Sequence, residues 1–248
     1  MTGEHLRDRV AIVTGASSGI GAAVVRALAR EGAHVALAAR REAALLEVQA
    51  SLEGGAKSLV VPTDVTDRRQ VASLVSCTEE VLGPIDVLVN CAGVMYYTMM
   101  KNLREDDWER TVEVNCKGAL NCVGAGLGGM LGRGRGHIVT ISSDAGRKVF
   151  PGLAVYSASK FFVEALSQGL RLETAGTGLK VTTIQPGNVA TDLRAMSDDR
   201  EALERYGAPS GTRVLDPDDV AASVVHALRQ PEHVAVNEIL VEPRDEPV

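Results

Sequence analysis

The sequence predicts an α/β protein in which a parallel sheet is covered by helices on both faces. Short apolar runs of strand length alternate with helical patterns along the whole chain. The runs are apolar without interruption, as is typical of strands buried on both faces. Aromatic residues make up only 3% of the 248 residues, so the core is expected to consist of Val, Ala, Leu and Ile packed against glycine-rich backbone.

The first half of the chain contains four predicted strands separated by helices. The strands are short apolar runs and are predicted at 9–14, 33–39, 58–61 and 85–90. The helices have apolar residues every three or four positions and are predicted from the glycine turn at Gly15 to about Gly32, at 42–52 and at 70–82. Because parallel strands need a crossover of helix length, this alternation indicates repeated βαβ units.

The second half contains three more strands and longer helices. A long helical pattern at 105–130 is interrupted near Asn115, a glycine-rich turn follows, and further strands are predicted at 137–142, 180–185 and 238–241. Helices are predicted at 155–174 and 217–229, the second with Asp216 as N-cap. We expect one domain over residues 1–248, a seven-stranded sheet, and a mobile lid at about 188–213, where polar residues accumulate.

Composition and charge exclude several kinds of partner. The net charge is −6, and the 26 basic residues are scattered among 32 acidic ones, so no nucleic-acid partner is expected. The chain has neither a signal-peptide pattern nor an apolar run of about 18 residues, which predicts a cytoplasmic protein without a membrane partner. The four cysteines lack metal-ligand spacing, so they are predicted to be reduced, mostly buried thiols, and no metal is expected.

A glycine cluster separates the first strand from the first helix. Gly15, Gly19 and Gly21 lie where the free N–H groups of a helix N-terminus can bind a pyrophosphate. A side chain there would block the approach of phosphates or of the strand to the helix. Taken alone, the cluster is explained equally well by a tight turn without a ligand.

Tyr156 and Lys160 are four residues apart in a predicted helix and therefore lie on one face. A neighbouring ammonium stabilises a phenolate, which predicts that the pKa of Tyr156 is lowered toward neutral pH and that the phenol acts as a general acid or base. Ser143 ends the fifth strand, where a second donor could stabilise a developing alkoxide, whereas Ser142 points to the opposite face. A buried Tyr beside a snorkelling Lys is the alternative.

The chain resembles the short-chain dehydrogenase/reductase family from about residue 9 to residue 242. The resemblance rests on motifs in the family's order and spacing: Thr14 to Gly21, Asp64, Asn90-Cys91-Ala92-Gly93, Asn115, Ser142-Ser143, Tyr156-x-x-x-Lys160 and Pro186-Gly187. It implies a three-layer Rossmann fold, doubly wound, with Tyr156 as acid/base and Ser143 at the substrate oxygen. Lys160 would also bind the nicotinamide ribose, and Asn115 would hold a water of a proton path. Cys91 departs from the family's Asn.

The residues at the end of the second strand predict NADP(H) as the cofactor. Ala39 stands where NAD enzymes place a carboxylate, and Arg40 and Arg41 follow, so a 2′-phosphate meets cations and no acid. Two arginines opening a helix in solvent are the alternative. The resemblance implies the following cofactor-binding residues: Gly15, Ser17, Ser18, Gly19, Ile20, Gly21, Arg40, Arg41, Asp64, Val65, Asn90, Ala92, Gly93, Tyr156, Lys160, Pro186, Gly187, Val189 and Thr191.

The substrate is expected to be a small carbonyl or alcohol compound. Its predicted binding residues are Met95, Ser143, Arg147, Phe150 and Tyr156. Residues 236–244 resemble an NADP-linked subgroup that includes 3-hydroxy acid, clavulanate and farnesol dehydrogenases, which share a reaction and not a substrate. A 3-oxoacyl-thioester reductase and a non-catalytic NADP-binding protein are the alternatives. The resemblance implies an oligomer, as is common in the family. The helix around Phe161 and Phe162 is also apolar on more than one face, and together these observations predict a homotetramer or homodimer.

Overall fold

A parallel sheet of seven strands forms the centre of the computed structural model, which describes residues 6–207 and 211–246. The strands are β1 (Val10–Thr14), β2 (His34–Ala39), β3 (Ser58–Pro62), β4 (Val87–Asn90), β5 (Gly136–Ile141), β6 (Leu179–Pro186) and β7 (Glu238–Val241). Their order across the sheet is β3-β2-β1-β4-β5-β6-β7. All neighbours are parallel, and the order reverses beside β1, which confirms the doubly wound Rossmann fold.

Helices cover both faces of this sheet. They are α1 (Gly19–Arg30), α2 (Glu42–Ala50), α3 (Arg68–Val81), α4 (Glu105–Thr111), α5 (Gly118–Gly132), α6 (Ala154–Glu173), α7 (Arg200–Tyr206) and α8 (Pro217–Leu228). Side chains of α1, α2 and α8 share one hydrophobic cluster with the sheet. Side chains of α3, α5 and α6 share a second cluster on the opposite face. The three layers predicted from the sequence are therefore present.

The uninterrupted apolar strands are explained by these two clusters. Every residue of β1 and of β4 is buried. Successive side chains point to opposite faces, so Ile12 packs in the cluster beneath α3 and α5, whereas Val13 packs in the cluster beneath α1 and α8. A strand buried on both faces has no position for a solvated polar side chain, which is why these runs do not alternate.

The predicted interruption near Asn115 is a π-helical segment. α4 ends at Thr111, residues Val112–Lys117 form the π-helix, and α5 begins directly after it. A π-helix has a wider turn than an α-helix and commonly occurs at functional sites. Here it places the buried Asn115 side chain toward the loop that follows β4.

The end of the chain also follows the predicted signals at α8. Asp216 precedes this helix, and the Asp219 carboxylate accepts a 2.9 Å hydrogen bond from the Asp216 backbone N–H.

The prediction of mostly buried cysteines holds for Cys116 and Cys122, whereas Cys77 is exposed. Among the described helices, none has the length and apolar character needed to cross a membrane.

The predicted lid contains two helical segments that the sequence pattern does not reveal. A short 3-10 helix, Asp192–Met196, is followed by α7. Residues 208–210, which also belong to the predicted lid, lie outside the described residues. The base of the segment is fixed by an isolated parallel bridge between Val189 and Leu215. That the segment moves as a lid stays a prediction.

Candidate active site

The glycine turn between β1 and α1 requires residues without side chains. Gly15 and Gly19 adopt the left-handed region, with φ of 68° and 51°. A Cβ on Gly21 would overlap the carbonyl oxygen of Gly15 and lie 2.7 Å from its carbonyl carbon. A Cβ on Gly15 would lie 2.9 Å from the backbone of Ala92, so the turn packs directly against the loop after β4.

A cavity of about 500 Å³ opens above this turn at the carboxyl ends of the strands, which is the expected ligand position in a doubly wound sheet. Among the predicted cofactor residues, it is lined by Gly15, Ser17, Ser18, Gly19, Ile20, Gly21, Arg40, Arg41, Asp64, Val65, Ala92, Gly93, Tyr156, Lys160 and Thr191. One continuous wall thus runs from the glycine turn to the predicted catalytic pair. Glycines that leave no room for a Cβ, at a helix N-terminus, fit a pyrophosphate-containing group.

The two arginines after β2 occupy different positions along the wall. The Arg41 guanidinium donates to the hydroxyls of Ser17 and Ser18, each at 3.2 Å. Arg40 is exposed and lies near Asp64. Burial raises the pKa of Asp64, but hydrogen bonds from Thr66 and the neighbouring guanidinium groups outweigh it and hold the pKa below its ordinary value. Asp64 is therefore an ionised acceptor at neutral pH.

Four predicted cofactor residues lie behind the cavity wall. Both amide atoms of Asn90 are buried without a hydrogen-bond partner among the described residues, beside a cavity of about 10 Å³ that Asn115 and Lys160 also line. Pro186 ends β6, the Gly187 N–H donates to the carbonyl of Val241, and Val189 packs against the core. These residues position the wall and do not form its lining.

Asn115 connects the loop after β4 to α6. Its side chain accepts a hydrogen bond from the Val94 N–H and donates to the Val94 carbonyl, both at 2.9 Å. The same amide donates to the Ser159 hydroxyl at 3.0 Å. The Asn115 side chain therefore holds the backbone next to Gly93 against the helix that carries Tyr156 and Lys160.

Tyr156, Lys160 and Ser143 are brought together as predicted. All three are less than 9% exposed. The Lys160 ammonium donates to the carbonyl of Ile141 at 2.9 Å and lies 5.5 Å from the centre of the Tyr156 ring. Ser143 is close enough to the Tyr156 phenol to act on its pKa.

The predicted lowering of the pKa of Tyr156 is wrong for this structure. Burial raises the pKa of the phenol well above its ordinary value and outweighs the opposing effect of Ser143, while Asp144 and Tyr97 raise it further. Burial also lowers the pKa of Lys160 to about 8. Tyr156 is therefore held protonated at neutral pH, the form that can donate a proton to an oxygen atom.

The predicted substrate residues divide into two groups. Met95 and Phe150 pack around Tyr156 together with Tyr97. Arg147 lies apart from this group, because its guanidinium donates to Gln185 at 3.0 Å and pairs with Glu238.

Further residues line the cavity that the sequence reasoning did not name as site residues. They are Thr63, Arg110, Val114, Ile141, Ser142, Asp192 and Ala195. Ser142 had been assigned to the opposite face, yet it borders the cavity. Arg110 comes from α4 and lies 4.0 Å from Asp64. No local sequence pattern predicts that Ser142 or Arg110 borders the cavity. Both residues reach it only because the folded chain brings α4 and the end of β5 to the same edge of the sheet.

A polar latch fastens the predicted lid to the loop after β4. Asp199, which is 6% exposed, accepts hydrogen bonds from the Met99 N–H at 2.9 Å and from the Asn102 amide. The Ser197 hydroxyl accepts from the Tyr97 N–H at 2.9 Å. These hydrogen bonds therefore fasten the predicted lid to the loop after β4 in this structure.

The fold and the glycine turn define a dinucleotide-binding protein of the Rossmann type, in which Ser143, Tyr156 and Lys160 lie together beside the cavity. The family model described as short chain dehydrogenase matches residues 9–202. The chain belongs to the short-chain dehydrogenase family.

Two relatives cover nearly the whole chain. Glycine betaine reductase ATRR of Emericella nidulans is 66% identical over 244 residues, which are 98% of this chain and 19% of that protein. This chain therefore corresponds to about a fifth of that relative's length. An oxidoreductase of Staphylococcus saprophyticus is 42% identical over 96% of this chain and 99% of its own length.

Solved structures of the same fold include NADP complexes. The closed form of serine dehydrogenase complexed with NADP⁺ has a TM-score of 0.86 at 32% identity, over 96% of both chains. An alcohol dehydrogenase from the archaeon Thermococcus sibiricus, complexed with 5-hydroxy-NADP, also has a TM-score of 0.86, at 28% identity over 97% of this chain and 98% of that one.

Proposed function

We propose that the chain is an NADP(H)-dependent oxidoreductase that interconverts a carbonyl compound and the corresponding alcohol. The observation that carries this proposal is the continuous cavity wall from the glycine turn to Tyr156 and Lys160. The bound nicotinamide would supply or accept the hydride at the carbonyl carbon. The family and the NADP complexes of its structural neighbours support this assignment.

Tyr156 and the residues around it would transfer the proton to or from the substrate oxygen. The buried, protonated phenol would donate its proton to the substrate oxygen during reduction and become a phenolate; in the oxidation direction the phenolate would accept the proton of the alcohol. Ser143 would supply a second hydrogen bond at the same oxygen after its hydroxyl turns from Asp144, to which it donates at 2.7 Å in this structure. Lys160 places a positive charge beside the phenol and would hold the nicotinamide ribose. Asn115 fixes the adjoining loop against α6.

A panel of aldehydes, ketones, keto acids and alcohols tests this function. Each compound is mixed with NADPH or NADP⁺, and the absorbance of the reduced nicotinamide is followed. We expect turnover of at least one class of small carbonyl compound. Nucleotide binding without turnover across the panel would favour a non-catalytic NADP-binding protein instead.

The preference for NADP(H) over NAD(H) would come from the arginines after β2. Ala39, Arg40 and Arg41 line the cavity, and no carboxylate ends β2 to repel a 2′-phosphate. A guanidinium forms charge-assisted hydrogen bonds to phosphate that a ribose hydroxyl cannot replace.

Replacing Arg40 with Ala should raise KM for NADPH by roughly tenfold or more, while KM for NADH changes little, because one phosphate contact is lost. Steady-state kinetics with both cofactors measures this difference. Arg68→Ala, an exposed arginine at the start of α3, is the matched control. Equal weakening of both cofactors would assign Arg40 a structural role.

The name of the Emericella nidulans relative, glycine betaine reductase, suggests the oxidation level of the substrate. Glycine betaine is a carboxylate with a quaternary ammonium group, and a carboxylate is a poor hydride acceptor. A Tyr-assisted hydride transfer suits an aldehyde. We therefore propose that this chain acts at the aldehyde–alcohol step, on small carbonyl compounds. A 3-oxoacyl thioester remains the second candidate, to be included in the panel.

Assembly into a homotetramer or homodimer is also proposed. Phe161 and Phe162 of α6 are 42% and 36% exposed, and Leu120 of α5 is 44% exposed, so both helices present apolar side chains to solvent. Light scattering at micromolar concentration should give about four times the 26.2 kDa chain mass, or about twice for a dimer. A fully active monomer at nanomolar concentration would contradict this proposal. A cytoplasmic location stays a prediction.

A further inference from the structure

A second cavity, of about 300 Å³, opens at the amino ends of the strands, at the opposite edge of the sheet from the candidate active site. It lies between the first residues of β1, β4, β5 and β6 and the end of α8. Among the described residues, none lines both this cavity and the one beside Tyr156. Its volume is at the lower end of the range for small-molecule sites, so a small metabolite fits.

Charged side chains form much of the wall of this second cavity. Of the residues that the structure describes, four cations and two carboxylates line it, namely Arg9, Arg135, Lys180, Arg229, Asp86 and Glu232. Arg229 is neutralised from behind the wall, because its guanidinium donates to the Glu31 carboxylate at 2.9 Å. The other three cations face two carboxylates, which leaves one positive charge in excess.

Arg9 and Arg135 share a single buried carboxylate. The Asp86 side chain is 4% exposed, and its Oδ1 lies 2.7 Å from the Arg135 guanidinium and 3.6 Å from the Arg9 guanidinium. The other carboxylate oxygen accepts a 3.1 Å hydrogen bond from the Val10 N–H. Asp86 therefore holds two guanidinium groups next to each other on the wall. A guanidinium has several N–H donors, and the contacts with Asp86 occupy only part of them.

Lys180 supplies a further positive charge from β6. It is paired in register with His137 of β5, which is paired with Val87 of β4, so these side chains point to the face covered by α1 and α8. The Lys180 ammonium donates to two neutral acceptors after α8, the carbonyls of Gln230 at 3.2 Å and Pro231 at 2.7 Å. These bonds fix the ammonium in place without cancelling its charge.

The titratable groups of the wall are affected by this excess of positive charge. Burial lowers the pKa of Lys180 and the charge of Arg9 lowers it further, while Glu232 only partly opposes them. Burial and the charge of Lys180 lower the pKa of His137 to about 3. His137 is therefore a neutral imidazole, bonded through Nε2 to the Thr182 hydroxyl at 2.8 Å, and it adds no charge to the cavity.

From the convergence of Arg9, Arg135 and Lys180 on one open cavity, we infer a binding site for a small phosphate-bearing anion, either inorganic phosphate or a phosphate monoester. The two guanidinium groups would bind the anion from the side of β1 and β4, and the ammonium from the side of β6. A tetrahedral phosphate accepts hydrogen bonds from several directions, whereas one guanidinium is enough for a planar carboxylate. The site is separate from the proposed oxidoreductase function and does not depend on it.

A purely structural role of these cations is the competing explanation. Lys180 binds carbonyls beyond α8, where a helix carries partial negative charge, and Arg229 pairs with Glu31. These contacts account for Lys180 and Arg229. They do not account for two guanidinium groups that meet at one carboxylate oxygen on the wall of an open cavity, where an anion would further reduce their repulsion.

Titration calorimetry on the NADPH-saturated protein tests the site, because the cofactor then occupies the other cavity and its arginines. The ligands are inorganic phosphate and glycerol 3-phosphate, at an ionic strength held constant with sodium chloride. We expect saturable binding with a Kd in the low-millimolar range or tighter. Tighter binding of glycerol 3-phosphate would identify a monoester as the ligand, and tighter binding of phosphate would identify the free anion. Saturable binding of neither would overturn the site.

The variant Lys180→Gln locates the binding. The glutamine amide can still donate to the carbonyls after α8, but one positive charge is removed from the wall. The Kd for the anion should rise by at least about tenfold, while KM for NADPH stays at the wild-type value because the two cavities are separate. Lys57→Gln, which replaces an exposed lysine just before β3 at the same edge of the sheet, is the matched control and should keep the wild-type Kd. An unchanged Kd in Lys180→Gln would overturn the site.

Hydrogen exchange measured by mass spectrometry decides the question if Lys180→Gln does not fold. Phosphate added to the NADPH-saturated wild-type protein should slow exchange in peptides that cover residues 133–137 and 177–180. Peptides from α2, at the other end of the sheet, should exchange at the same rate with and without phosphate. Protection confined to the glycine turn, or no protection anywhere, would contradict a phosphate site in the second cavity.

Discussion

Tyr156→Phe should reduce kcat for aldehyde reduction by at least about 10²-fold, the loss expected for removal of a general acid. The substitution removes only the phenolic oxygen, so the ring can still pack against Leu153 and Ala145. Steady-state kinetics would measure the loss, and titration calorimetry would measure NADPH affinity, which should stay within about threefold of wild type because the glycine turn is unaltered.

Tyr97→Phe is the matched control for this prediction. It removes a second phenol from the same cluster but leaves Tyr156 and Ser143 in place. Its kcat should fall much less than that of Tyr156→Phe. If Tyr156→Phe kept a kcat near the wild-type value, the assigned role of the phenol would be wrong.

Gly21→Ala should weaken NADPH binding by at least about tenfold and destabilise the fold by about 1–3 kcal/mol, the usual cost of overpacking. The added Cβ meets the backbone of Gly15, which cannot move without opening the turn beneath the cavity. Titration calorimetry gives Kd, and thermal unfolding gives the stability change.

Gly128→Ala separates this effect from a general cost of replacing glycine. A Cβ on Gly128, in α5, meets nothing within 4 Å, so this variant should be neutral or slightly more stable because Ala favours helix. A Kd for NADPH in Gly21→Ala within twofold of wild type would show that the turn does not hold the cofactor.

The sequence predicts those parts of this protein that depend on local rules. Strands buried on both faces are continuous apolar runs, and the glycine turn is visible because Gly15 needs a positive φ. The cost of placing Asn115 within a helix correctly predicts the interruption that proves to be a π-helix.

Features that depend on contacts between distant residues could not be predicted in the same way. Arg147 pairs with Glu238, 91 residues further along the chain, so its basic side chain is absent from the group around Tyr156. Asp199 fastens the lid to residues about 100 positions earlier, and α7 begins at this same carboxylate. The pKa of Tyr156 is raised because burial outweighs nearby polar groups, and burial is a property of the whole fold.

The most direct test of the proposed function measures whether deuterium is transferred from the labelled cofactor to the alcohol product. The wild-type protein would be given NADPH dideuterated at the nicotinamide C4 and a turned-over aldehyde, and the alcohol product would be analysed by mass spectrometry. Hydride transfer from the cofactor predicts one deuterium on the carbinol carbon of every product molecule, with the yield lost in Tyr156→Phe. An unlabelled alcohol, or a labelled alcohol formed equally fast by Tyr156→Phe, would contradict it.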